Sequence, residues 1–90
     1  MKIRTASGAL YEIDDHGICR KYDSDGLHVD SFKVFFKKAL PTTVRSLGDV
    51  WDYPNGEPEV GKLLYIGGMD SYWLSTEVVS IEYELHDKDK

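Results

Sequence analysis

Cysteine occurs once, at Cys19, so the chain cannot close an intramolecular disulfide, and it lacks the paired spacing of a secreted disulfide scaffold. A reducing compartment fits that usage, and the cytoplasm is the expected location. Long apolar runs are missing as well. Met1-Lys2-Ile3-Arg4-Thr5 leads straight into polar/apolar alternation without the apolar core of a signal peptide, and nothing nears a membrane span, so no membrane partner is expected. Cations are scarce in the second half. Residues 1–45 carry a net charge of +2 and residues 46–90 a net charge of −7, within an overall −5. Such a half repels phosphate backbones and attracts basic surfaces over a Debye length of roughly 8–10 Å.

Aromatic residues, by contrast, are plentiful. Eleven of them in a chain of 90, with 41% hydrophobic residues, supply a core and exclude a disordered composition. That length suits one small domain, here residues 1–85, followed by a frayed charged tail over residues 86–90 that lacks an apolar anchor. So small a domain leaves much of its surface wet, and homodimerisation would add burial.

Short strands dominate the pattern. Residues 2–5 and 10–14 alternate around Ala6-Ser7-Gly8-Ala9, which predicts a hairpin. Asp15-His16-Gly17 turns into a third strand at Ile18-Cys19-Arg20-Lys21-Tyr22, and Asp23-Ser24-Asp25-Gly26 ends that meander. Residues 29–40 fit both periods. Val29, Phe32, Phe36, Ala39 and Leu40 follow helical spacing, whereas Phe32, Val34 and Phe36 follow strand spacing. Asp30 or Ser31 as a cap, Lys37 and Lys38 in a last turn and Pro41 as a stop favour the helix; the bulky run Phe32 to Phe36 supports the strand.

Gly48, Pro54-Asn55-Gly56 and Pro58 then mark irregular chain, with a short strand expected around Val50-Trp51-Asp52-Tyr53. Lys62-Leu63-Leu64-Tyr65-Ile66 reads as a buried strand, and Tyr72-Trp73-Leu74 can pair back on it. Val79, Ile81, Tyr83 and Leu85 alternate with Ser80, Glu82 and Glu84, predicting a strand with one packed and one acidic face. The fold class is therefore mainly β, or α+β if residues 30–40 are helical. Five to seven short strands point to a small curled sheet or an SH3-like barrel.

Reactive constellations are weak. Asp14-Asp15-His16 offers metal-type ligands, yet consecutive residues at a turn diverge and Asp before Gly is ordinary turn chemistry. Asp23-Ser24-Asp25-Gly26 begins like a calcium loop, but Gly comes fourth rather than sixth and Val34 stands where the twelfth-position Glu belongs. Cys19 near His16 or His28 is the single nucleophile–base pairing worth naming, and it carries no local signature. Glu82 and Glu84 lie on one strand face about 7 Å apart at roughly 3.3 Å per residue, a separation glycosidases use but also that of any solvated strand face. Gly61, Gly67 and Gly68 lack phosphate-loop spacing. No catalytic residue, metal or cofactor is called for.

Binding is the better expectation. Trp51, Asp52, Tyr53, Tyr72 and Trp73, with Glu82 and Glu84, combine hot-spot aromatics with acidity, although burial is the commoner fate of each tryptophan in so small a domain. Phe32 to Lys38, with three phenylalanines and three lysines, offers the alternative of a small β-barrel that stacks nucleic-acid bases using the basic N-terminal half. The overall acidity argues against it.

The opening Ile3-Arg4-Thr5-Ala6-Ser7-Gly8-Ala9-Leu10-Tyr11-Glu12-Ile13-Asp14 resembles the N-terminal hairpins of small uncharacterised bacteriophage and prophage proteins of Gram-positive hosts. Pro58-Glu59-Val60-Gly61-Lys62-Leu63-Leu64 and Ser75-Thr76-Glu77-Val78-Val79-Ser80-Ile81-Glu82 are similar to their C-terminal halves. The resemblance implies a phage-type accessory protein that occupies a host protein; it covers under half of the chain and carries over no functional residue. With the acidic C-terminal half and its aromatics, the expectation is a non-enzymatic protein of the host cytoplasm that binds a host or phage protein with a basic surface, as an inhibitor or nucleic-acid mimic.

Overall fold

The computed structural model describes residues 1–83 and consists of seven antiparallel strands with one 3-10 turn. The strands are β1 (Lys2–Thr5), β2 (Leu10–Ile13), β3 (Ile18–Tyr22), β4 (His28–Lys33), β5 (Phe36–Leu40), β6 (Leu63–Gly67) and β7 (Tyr72–Glu82). Their order in the sheet is β4-β3-β2-β1-β7-β6-β5. This is the expected mainly β class, a small curled sheet at the upper end of the anticipated strand number. Glu84 and the tail, residues 86–90, lie outside the described residues.

The first four strands form a meander because three turns repeat one local chemistry. In each, the fourth residue is a glycine at positive φ, namely Gly8 at 93°, Gly17 at 79° and Gly26 at 84°. Each of these glycines donates its N–H to the carbonyl three residues back, on Thr5, Asp14 and Asp23 respectively. Only glycine takes that left-handed backbone without steric cost. In the second and third turns an aspartate side chain completes the loop. Asp14 accepts from the N–H groups of His16 and Ile18, and Asp23 from those of Asp25 and Leu27. The nine-residue spacing of the three glycines is a regularity that the sequence reading passed over.

The last strand, β7, closes the fold by lying between β1 and β6. Its register carries a bulge. Arg4 pairs with Ser80 and Thr5 with Val78, leaving Val79 as the extra residue. The expected packed face of Val79, Ile81 and Tyr83 is thereby corrected: Val78 is fully buried, Val79 and Tyr83 are exposed, and Ile81 packs at the margin of the core. A second irregularity opposite Leu64 is patched by a side chain, because the Ser75 hydroxyl accepts from the Leu64 N–H at 2.9 Å and donates to the Thr76 carbonyl.

The helix favoured for residues 30–40 is not formed. That stretch holds β4 and β5, which are consecutive in the chain but lie at opposite edges of the sheet. Residues 34 and 35 step across the gap. The Val34 N–H donates to Gly17 and the Phe35 N–H to Gly67, both at 2.8 Å, so the sheet curls until its two edges meet. Long-range pairing explains the reversal. A helix would stack Phe32 and Phe36 on one face; here Phe32 joins the inner core of Ile3, Tyr11, Cys19, Leu64, Ile66 and Val78, while Phe36 joins an outer cluster with Leu40, Val50 and Tyr65. The closure is tight. A Cβ on Gly68 would stand 2.5 Å from the Lys33 carbonyl oxygen.

The strand expected at Val50-Trp51-Asp52-Tyr53 is instead the 3-10 turn Leu47–Asp52. Ser46 caps it by accepting the Gly48 N–H at 3.1 Å, which offers this short polar stretch local hydrogen bonds that a strand would have to find elsewhere. The turn drops Val50 into the outer cluster over β5 and β6. Consequently β6 is covered on both faces, in keeping with its uninterrupted apolar sequence.

Candidate functional site: an aromatic cleft

Beside the 3-10 turn lies a cleft of about 440 Å³, built where β5, β6, the β6–β7 turn and the start of β7 converge. Tyr65, nearly fully buried, provides its floor together with Phe36, the ring centroids being 4.9 Å apart. Trp51 and Tyr72 stand steeply on that floor, at interplanar angles to Tyr65 of 82° and 65° and centroid distances of 6.3 and 5.9 Å. Edge-on packing of this kind is a favoured aromatic geometry and fixes the rings. Burial, and next the neighbouring Tyr72, push the Tyr65 hydroxyl pKa above its ordinary value.

Exposure separates this cleft from a piece of core. Trp51 is 67% exposed, Met69 79% and Tyr72 56%, and Leu47 also lines the cleft from the surface. A smaller depression that shares Met69 with the cleft is lined by Phe35, itself exposed. Apolar surface therefore continues from Leu47 to Phe35. Patches of this kind mark interaction sites more often than isolated exposed side chains do.

A buried lysine holds the turn in place. The Lys38 ammonium donates to the carbonyl of Val50 at 3.1 Å and to that of Tyr53 at 2.6 Å, and stands 5.1 Å from the centre of the Trp51 ring. Sequence reasoning had assigned Lys38 to a helix end. Its side chain instead ties β5 to the irregular segment that carries Trp51.

The charged residue in the cleft lining, Asp70, is acidic, and Asp49 and Asp52 are exposed on the same short turn as Trp51. The ion pairs among the described residues join Lys2 to Glu12, Arg20 to Asp14, Lys37 to Glu57 and Lys62 to Glu59, and include none of these three aspartates. The acidity of the second half is thus offset by internal cations around Glu57 and Glu59 and left open near the aromatics.

The sequence-derived candidates divide accordingly. Trp51, Tyr72 and Asp52 come together at or beside the cleft, and Tyr53 packs half-buried beneath the turn. For Trp51 the ordinary expectation of burial is overturned, because the turn carries Val50 inward and leaves the next side chain outside. Trp73 follows Tyr72 in the strand and so points to the opposite face. There it packs against the inner core, donates its indole N–H to Asp30 at 3.0 Å and stacks under Lys21. Glu82 is exposed opposite Lys2, about 33 Å along β7 from Tyr72 at roughly 3.3 Å per residue, and takes no part in the cleft. Glu84 lies outside the described residues. Phe36, Leu47, Tyr65, Met69 and Asp70 were missed; an exposed methionine in the turn after Gly67-Gly68 was the available signal.

Elsewhere the reactive groups are absorbed by structure. Asp14 is committed to its turn and to Arg20; the Ile18 N–H above all, with the His16 N–H and the Arg20 guanidinium, holds its carboxyl below the usual range against the opposing effect of desolvation. Cys19 is fully buried, and burial, then Asp30, push its thiol up to about 12 despite Lys21. A thiol so placed is a poor nucleophile at neutral pH. No group of three or more His, Cys, Asp and Glu side chains suited to a metal ion occurs among the described residues. The lysines of the Phe32–Lys38 stretch are likewise engaged, Lys33 with the His16 carbonyl, Lys37 with Glu57 and Lys38 with Val50 and Tyr53. Among the described residues, no helix is long and apolar enough to cross a membrane. No family model, curated protein or solved structure matches the chain.

Proposed function

We propose that this chain is a non-enzymatic binding protein that holds a protein partner on the aromatic cleft, the partner presenting a basic surface to Asp49, Asp52 and Asp70. The observation that carries the reading is Trp51. It stands two-thirds exposed on a capped, lysine-anchored turn beside exposed Tyr72 and Met69. Holding a large aromatic in place before binding reduces the ordering cost of association, and tryptophan and tyrosine dominate interface energetics. These aspartates, in no ion pair among the described residues, add orientation and salt-dependent attraction at the rim. This role suits a small phage-type accessory protein that occupies a protein of its host.

The test is a pull-down from lysate of the source cell with wild type, Trp51→Ala and the triple variant Asp49→Asn, Asp52→Asn, Asp70→Asn. A partner retained by wild type, lost from Trp51→Ala, weakened in the triple variant and eluted by moderate salt is the expected result. A partner that holds equally to all three proteins rules the cleft out.

A further inference from the structure

Resting on that reading, we propose that the cleft accepts a single cationic side chain of the partner, a lysine or arginine, against the aromatic rings of Trp51 and Tyr72, with Asp70 in the same lining. The geometry supplies the recognition. The Trp51 and Tyr72 rings both stand steeply on the Tyr65 floor and line one cleft, and the negative face of an aromatic quadrupole attracts a cation. The Lys38 ammonium already stands 5.1 Å from the centre of the Trp51 ring. That ammonium is held by the Val50 and Tyr53 carbonyls beneath the turn. A second cation near it would be repelled unless anionic groups lay close. Asp70 in the lining and Asp52 beside Trp51 provide them, and neither belongs to an internal ion pair among the described residues.

An uncharged apolar side chain would use the rings but not the carboxylates. An acidic side chain would be repelled by them. A cation with an aliphatic stem uses both, the stem lying along Met69 and the rings while the charge reaches Asp70.

Three acetylated and amidated pentapeptides, Gly-Ser-X-Ser-Gly with X as lysine, arginine or norleucine, would be titrated into 15N-labelled full-length protein. The tryptophan indole N–H resonances are the readout. Trp51→Phe assigns its own resonance by deletion, and Trp73, bonded to Asp30, is the internal control. The lysine and arginine peptides should shift Trp51 saturably and leave Trp73 unmoved, with norleucine about tenfold weaker, as expected for a partly desolvated cation–π contact. Asp70→Asn, at an exposed turn, should weaken the cationic peptides severalfold and leave norleucine unchanged. Norleucine binding as tightly as lysine overturns the cation inference while leaving the cleft as an apolar interface. A Trp51 resonance unmoved by all three peptides also overturns it, and the dependence of the pull-down on Trp51 then judges the binding reading on its own.

Discussion

Replacing Lys38 by methionine keeps the length of the side chain and removes its charge, which makes it the sharpest probe of how the irregular segment is held. Lys38 is 6% exposed, and its ammonium spends its hydrogen bonds on the Val50 and Tyr53 carbonyls while stacking on Trp51. Hydrogen bonds from a charged donor are worth about 1.5–3 kcal/mol each, and an exposed cation–π contact about 0.5–1 kcal/mol. Against this stands the cost of removing the ammonium from water, several kcal/mol, which methionine is spared. The carbonyls decide the balance. Val50 keeps one donor in the variant, because the Tyr53 N–H also reaches it at 3.2 Å, and the half-buried Tyr53 carbonyl can turn to water. The contacts should therefore outweigh the desolvation cost by a narrow margin, about 2 kcal/mol, or roughly 10 °C in Tm for a domain of this size. Urea and thermal melts of Lys38→Met, Trp51→Ala and the double variant would measure it, and the cycle should return a coupling of about 0.5–1 kcal/mol between ammonium and indole. A Lys38→Met protein as stable as wild type, or more so, would refute the reasoning, since burying the charge would then cost more than its contacts return.

Two further outcomes follow from the closure of the sheet and from the core. Gly68→Ala places a methyl group against the Lys33 carbonyl and should cost roughly 1–3 kcal/mol through backbone displacement, whereas Gly56→Ala, with open space around it, should be near neutral; equal thermal melts would deny that the edges meet at residues 33–35. Burial pushes the Cys19 thiol and the Tyr11 hydroxyl up to about 12, from ordinary values of 9.0 and 10.0. The unfolded chain therefore loses these protons first. Stability should be intact below about pH 9 and fall from there toward pH 12, by at most ~1.4 kcal/mol per pH unit for each group. A urea midpoint unchanged between pH 8 and pH 11 would contradict their burial.

The sequence by itself determined the elements whose causes are local. The turns at Gly8, Gly17 and Gly26 follow from glycine at positive φ and from aspartates that bond their own backbone, so the β1–β4 meander could be read residue by residue up to Tyr22. The apolar run at Leu63–Gly67 likewise announced a strand covered on both faces. Tertiary structure decided whatever depended on partners distant in the chain. Phe32 and Phe36 satisfy helical and strand periods alike, and only pairing with β3 on one side and β6 on the other separated them onto different clusters. The cleft belongs to the same class. Tyr72 faces out and Trp73 in because strand side chains alternate, and a register one residue along would exchange them. Trp51 is outside because Val50 found space over β5 and β6, a fact of packing that composition and periodicity do not contain.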